Sequence, residues 1–154
     1  MAVGLTSHRH PLAYPVRVAR TPRSNIEIIW SDWLDAIRRG DLDTLAARLA
    51  PEVTHRGVRA DLICPDRESV LENARARSDE LPEVGAVELV ATGDHVVVSI
   101  RAPTVGMPLE DGAPMRGQAS IVFTLRDGLI TGMQDYVSRG EALAAAGAEP
   151  AVWV

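Results

Sequence analysis

Residues Gln118 to Glu141, QASIVFTLRDGLITGMQDYVSRGE, constrain the fold more than any other stretch of the chain. Apolar and polar residues alternate on both sides of Asp127-Gly128, the period of a strand with one buried face. Asp-Gly is a doublet that two-residue hairpin turns select, because both central residues of such a turn need positive φ. The stretch therefore predicts two antiparallel neighbours in a sheet. If the turn holds only Asp127 and Gly128, Thr124 faces Thr131, Val122 faces Met133 and Ser120 faces Asp135. One face is then mixed polar and apolar. The other carries Ala119, Ile121, Phe123, Leu125, Ile130 and Tyr136 and is nearly all apolar.

Helices precede the sheet. Ser24-Asn25-Ile26-Glu27 has the spacing of a capping box, in which hydroxyl and carboxylate satisfy amides at a helix start. Ile26, Ile29, Trp30, Trp33, Leu34 and Ile37 follow as a helical stripe, and Arg38, Arg39 and Gly40 suit its C-terminal end. Asp41 caps a second helix with Leu42, Leu45, Ala46 and Leu49 inward, stopped by Pro51. A short strand is expected over Val53 to Val58, and a third helix over Arg67 to Arg77. Val87, Leu89 and Ala91 then alternate, Gly93-Asp94 turns the chain, and Val96, Val98 and Ile100 alternate again. That turn places Val90 opposite Val97 and Glu88 opposite Ser99, with Arg101 diagonal to Glu88. Ala102 to Gly117 reads as a long loop or distorted hairpin. Ser138 repeats the capping spacing ahead of a last helix that Gly147 ends, and Val152-Trp153-Val154 is an apolar tail. Helices gathered before a curved, mostly antiparallel sheet define an α+β fold.

The chain has 154 residues, 46% of them hydrophobic, enough for one globular domain with a sizeable core. We expect a loose arm over residues 1–22 and a single domain over 23–154. The net charge of -5 gives no field for nucleic acid or anionic membrane. No apolar run approaches membrane-spanning length. A single cysteine, Cys64, rules out an internal disulfide and fits the cytoplasm. No Cys/His cluster has zinc-site spacing, and the expected proton-transfer function needs no metal or organic cofactor.

The helix ending Arg38-Arg39-Gly40-Asp41, the segment Leu49-Ala50-Pro51-Glu52-Val53, and Arg126-Asp127-Gly128-Leu129-Ile130 leading to Gln134-Asp135-Tyr136 together resemble the nuclear-transport-factor-2-like superfamily. The branch they resemble is the SnoaL-like polyketide cyclase group, over roughly Arg23 to Gly147. The resemblance implies a cone-shaped α+β barrel, its sheet wrapped around the N-terminal helices with an internal pocket, and commonly a homodimer. It also implies an acidic residue where Asp135 falls. Limonene-epoxide hydrolases of this fold add an arginine and an aspartate two residues apart. Arg101 matches, but position 103 is a proline, which disfavours epoxide hydrolysis. The tyrosine and two acids of ketosteroid isomerases have no match, and Trp30 and Trp33 occupy the stretch where the tyrosine would fall.

Three residues are candidates for catalysis. Asp135, a carboxylate on a half-apolar face, suits proton transfer, the alternative being a structural ion pair or a backbone acceptor. Arg101 suits oxyanion stabilisation, unless Glu88 neutralises it. His55 suits proton shuttling, unless it is merely hydrogen-bonded. Trp30, Trp33, Val122, Met133 and Ser120 are the candidate ligand-binding residues, with the mixed face forming the cavity beneath the first helix and the apolar face partly forming a dimer contact. Cys64 reads as a small hydrophobe, because a nucleophile needs a nearby base and none is visible. The function that follows is a small-molecule-binding protein, with isomerisation or cyclisation of an apolar carbonyl compound by proton transfer as its activity. The alternative is a non-catalytic binding or dimerisation module of the same fold.

Overall fold

A computed structural model describes residues 23–78, 86–102 and 117–149. The arm over 1–22, the body of the 102–117 loop and the tail at 152–154 lie outside the described residues. Helix α1 begins at Asn25 under the expected capping box: Glu27 N–H donates to Ser24 Oγ at 3.2 Å, and Ser24 N–H to Glu27 Oε2 at 2.9 Å. It is α-helical over Asn25–Ile28, π-helical over Ile29–Asp35 and α-helical again over Ala36–Arg39. Helix α2 (Leu42–Arg48) starts on the Asp41 cap, whose Oδ1 accepts from Thr44 N–H at 3.1 Å. Helices α3 (Arg67–Ser78) and α4 (Arg139–Ala146) follow later in the chain.

The strands are β1 (Leu49–Arg56), β2 (Ile63–Cys64), β3 (Ala86–Thr92), β4 (His95–Ala102), β5 (Gly117–Arg126) and β6 (Leu129–Tyr136). They form one curved, unclosed sheet in the order β2-β1-β6-β5-β4-β3, antiparallel except where β1 runs parallel to β6. The expected β3–β4 pairing holds, with Val90 opposite Val97 and Glu88 opposite Ser99. The first two strands differ from expectation. Strand β1 begins at Leu49 rather than Val53, because Leu49 and Ala50 are already buried in the sheet. Pro51 is tolerated there since the β1–β6 register is irregular between Leu49 and Thr54, so no ladder bond needs its missing N–H. Strand β2 has two residues, too short for periodicity to reveal.

The larger correction concerns the β5–β6 hairpin. Its turn is as expected: Asp127 has φ 52° and Gly128 φ 79°, the left-handed pair of a tight hairpin. Arg126 pairs with Leu129 and Leu125 with Ile130, but Thr124 then pairs with Gly132, leaving Thr131 as a bulge. Thr131 Oγ1 donates to Thr124 O at 3.2 Å across it. One extra residue shifts every later pair by one: Phe123 meets Met133 and Ile121 meets Asp135. Met133 and Asp135 therefore share a face with Ile121, Phe123 and Leu125, whereas Val122 and Ser120 point the opposite way.

That first face is the one under the helices. Val96, Val98, Phe123, Leu125, Ile130 and Met133 pack with Ile28, Ile29, Trp33 and Ala36 of α1, Leu45 of α2, and Val70 and Ala74 of α3. Trp33 meets Phe123 edge-on, ring centroids 5.5 Å apart. The apolar face expected to contribute to a dimer contact is thus covered from within the chain. The reverse face is covered by α4: Val97 and Val122 pack against Ala142, Leu143 and Ala146. The buried Ser99 and Ser120 hydroxyls satisfy each other there at 2.9 Å.

Arg48 fastens the helical layer to the sheet. Its Nε donates to Asp32 Oδ2 at 2.6 Å and its Nη1 to Gly128 O at 3.1 Å, and Arg23 Nη1 donates to the same Asp32 oxygen at 2.9 Å. On the reverse face Arg139 holds Glu88 with two bonds of 2.7 and 2.9 Å. Glu88 therefore has its partner on α4, and not in Arg101 as the strand diagonal suggested.

Candidate functional site

The β1–β6 pairing aligns His55 with Met133. Side chains alternate along each strand, so His55, Met133 and Asp135 project to the same side. His55 Nε2 and Asp135 Oδ1 are 2.8 Å apart, in largely buried surroundings. Residues 80 apart in sequence are joined this way. Asp135 is only 8% exposed. Among the described residues its side chain has no partner besides His55, which leaves Oδ2 without a hydrogen bond from the protein. A carboxylate oxygen so placed is costly unless water or a ligand reaches it.

Such a space lies beside it. A cleft of about 200 Å³ is lined by His55, Asp135, Gly57, Val58, Asp61, Leu62, Ile63, Cys64 and Asn73. Its floor is the β1 end and β6, one wall is β2, and α3 contributes Asn73. The connection from β1 to β2 closes the rim. Gly57 N–H donates to Leu62 O at 2.7 Å and Leu62 N–H to Arg59 O at 3.0 Å, folding that loop on itself. A side chain at Gly57 would place its Cβ 2.7 Å from Leu62 Cβ, so only glycine allows this closure. Arg59 grips Asp61 through bonds of 3.0 and 2.7 Å. The Arg59 guanidinium holds the Asp61 carboxyl below its ordinary 3.8, so at neutral pH the rim carries an ion pair.

The structure thus brings together two of the three candidate catalytic residues and separates the third. Arg101 follows Val97 and Ser99 at even spacing on β4, so it belongs to the α4 face, away from Asp135. Ser120 and Val122 are on that face too, removed from the cleft by the Thr131 bulge. Met133 is 3% exposed and part of the core beside the cleft. Trp33, at 7%, fills the space beneath α1 rather than roofing a void. Trp30 is 44% exposed and lies under the Arg38 guanidinium, 5.7 Å from its ring centre. It stands at the outer margin of the helix stripe with Ile26, one turn earlier. Reading all six stripe positions as core made the stripe too wide.

Asn73 and Cys64 are cleft residues that sequence reasoning missed. Asn73 lies on a mostly polar helix and gave no signal. Cys64 belongs to a strand too short to detect, and only the sheet register sets it opposite His55. Among the described residues no group of three His, Cys, Asp or Glu side chains gathers as a metal site, and no helix is long and apolar enough to cross a membrane.

A curved sheet wrapped on N-terminal helices, with an acid and an imidazole meeting beside a small cleft, defines a cone-shaped α+β protein. The chain belongs to the SnoaL-like domain family, whose model matches residues 30–133. Solved structures with the same fold include an NTF2-like protein of unknown function from Cytophaga hutchinsonii, 14% identical, over 76% of this chain and 93% of that one, with a TM-score of 0.55. A candidate polyketide cyclase from Sinorhizobium meliloti is 21% identical over 70% of this chain and 93% of its own, with a TM-score of 0.52. An LEH-like epoxide hydrolase from M. tuberculosis is 19% identical over 76% of this chain and 85% of its own, with a TM-score of 0.51. At these identities the likeness is one of fold. No curated protein matches the chain.

Proposed function

We propose that this protein binds a small apolar carbonyl compound in the His55–Asp135 cleft and shifts a proton in it without a cofactor, as an isomerase or cyclase does. The observation that carries the reading is the pairing of a buried carboxylate with an imidazole beside open space. Both are pocket groups from distant parts of the chain, and one carboxylate oxygen has no protein partner among the described residues. Such a placement is what general acid–base chemistry needs.

In this reading His55 donates its Nε2–H to Asp135 Oδ1 and fixes the carboxylate. Asp135 Oδ2 removes a proton from the carbon beside the carbonyl and returns it further along the conjugated system. With Arg101 on the far face, the Asn73 amide is the neutral donor on the cleft wall for the enolate oxygen. Proton transfer next to a carbonyl requires no more than a base and an oxyanion donor. The same reading makes the protein a cytoplasmic homodimer that binds neither nucleic acid nor membrane. With the apolar sheet face covered, the exposed Ile26 and Trp30 on α1 offer a surface for a dimer contact.

The test is isomerisation of a β,γ-unsaturated cyclic ketone, followed by the ultraviolet absorbance of the conjugated product. Turnover above buffer that disappears in Asp135→Asn supports the reading; equal rates with and without protein refute catalysis. A second reading, a non-catalytic binder of the same fold, draws on the filling of the space beneath α1 by Trp33, Phe123 and Met133. It predicts that the ketone binds, as seen by calorimetry, and is released unchanged.

A further inference from the structure

Cys64 and His55 are direct partners across the β1–β2 ladder. Antiparallel partners project to the same side with Cβ atoms about 4.5–5.5 Å apart, which puts a thiol within reach of the facing imidazole. Both side chains line the cleft, and Asp135 holds His55 by Nε2. Among the described residues the His55 side chain has no other hydrogen bond, so Nδ1 is the nitrogen left to take a proton. A nucleophile beside a base that a third group orients is the arrangement that activates thiols. Cys64 is half-buried and reached from the cleft, and it is the single cysteine of the chain.

We propose that Cys64, His55 and Asp135 act as nucleophile, base and positioning carboxylate, making the cleft a covalent capture site for α,β-unsaturated carbonyl compounds. The proposal rests on the reading above for the place of the carbonyl. The thiol proton passes to His55 Nδ1. Sulfur bonds to the β-carbon, and the π electrons move onto the carbonyl oxygen as an enolate. The imidazolium then returns its proton to the α-carbon. The net change is addition of S–H across the C=C bond, with no oxidant or reductant, and reversal releases the ligand intact. The conjugated product of the proposed isomerisation is itself such an electrophile, so capture would hold back product release.

The test uses wild-type protein and α,β-unsaturated cyclohexenone, with intact-mass spectrometry reading the adduct and its rate across pH. Among the described residues three ionisable groups line the cleft besides the thiol: His55, Asp135 and Asp61, the last fixed by Arg59. A free thiol titrates at about 8.5, and one beside an imidazole at about 7. At about pH 6 the thiolate fraction then rises roughly thirtyfold, and lower intrinsic nucleophilicity removes roughly fivefold of that. The expected result is one adduct per chain, formed about sixfold faster at that pH than with a short unstructured cysteine peptide, and slowed by the same factor in His55→Gln. An inflection at or above about 8.5, with the rate of the free thiol, overturns the proposal. If His55→Gln does not fold, the wild-type profile alone decides. Isomerisation of the β,γ-ketone is read separately. Isomerisation without an adduct overturns capture alone, and an adduct without isomerisation overturns the isomerase reading alone.

Discussion

Replacing Asp135 by asparagine separates catalysis from folding. The side chain is nearly isosteric and its Oδ1 can still accept from His55 Nε2, now at 2.8 Å to a neutral group. A hydrogen bond to a charged group contributes about 1.5–3 kcal/mol and a neutral one about 0.5–1.5, so the exchange costs roughly 1 kcal/mol. The new amide N–H₂ replaces Oδ2 at a position only 8% exposed and faces the cleft, where water can satisfy it at a further cost of about 1 kcal/mol at most. The sum, about 1–2 kcal/mol, lowers Tm by roughly 2–8 °C in a chain of this size. Loss of a positioned general base costs about 10²- to 10⁴-fold in rate, or roughly 3–5 kcal/mol of barrier. Met133→Ala, two residues earlier on the same face and 3% exposed, is the control, with an expected loss of about 2–5 kcal/mol in stability. The assays are thermal melting by circular dichroism and ketone isomerisation on the same samples. If Asp135→Asn keeps its rate within tenfold of wild type, or loses as much stability as Met133→Ala, the aspartate is a structural residue.

Other outcomes follow from the packing. Trp33→Ala should cost about 3–5 kcal/mol in denaturant unfolding, whereas Trp30→Ala, at 44% exposure, should cost under about 1; equal losses would contradict the outward placement of Trp30. Gly128→Ala forces a Cβ into a residue at φ 79° and 3.4 Å from Arg48 Nη1, for about 1–2 kcal/mol of destabilisation; an unchanged melt would mean that the turn differs. Removing either half of the Glu88–Arg139 pair should cost about 1.5–3 kcal/mol, and a double-mutant cycle should return a favourable coupling; additive losses would mean that the two groups do not interact. Asp66 and Asp41 both titrate below their ordinary 3.8, Asp66 chiefly through the Ser69 backbone N–H and Asp41 chiefly through the Thr44 hydroxyl. A depressed folded value means that their stabilisation is present above the unfolded value, near 3.8, and is lost as pH falls through the still lower folded values. Carboxyl chemical shifts should report those low midpoints, and midpoints at or above 3.8 would contradict the caps.

The sequence alone determined what depends on neighbours along the chain. The capping box at Ser24 and the caps at Asp41 and Ser138 are local hydrogen bonds between residues three apart, and each appears where it was expected. The Asp127-Gly128 turn is local too, as is the alternation of β3 through β6, and together with the helix order they carried the fold class and the family. Which face those strands present depends on pairing between distant segments. A single unpaired residue, Thr131, breaks the period of two, and Gly132 beside it is the one hint in LITGMQDY, too little to place the bulge, which is fixed by the whole sheet's curvature and pairing. It turned Met133 and Asp135 toward the helices, left Ser120 and Val122 behind on the opposite side of the sheet with Arg101, and set Asp135 against His55. The meeting of His55, Cys64 and Asp135 likewise depends on β1 inserting between β2 and β6, a contact between distant segments. Periodicity has no access to such contacts.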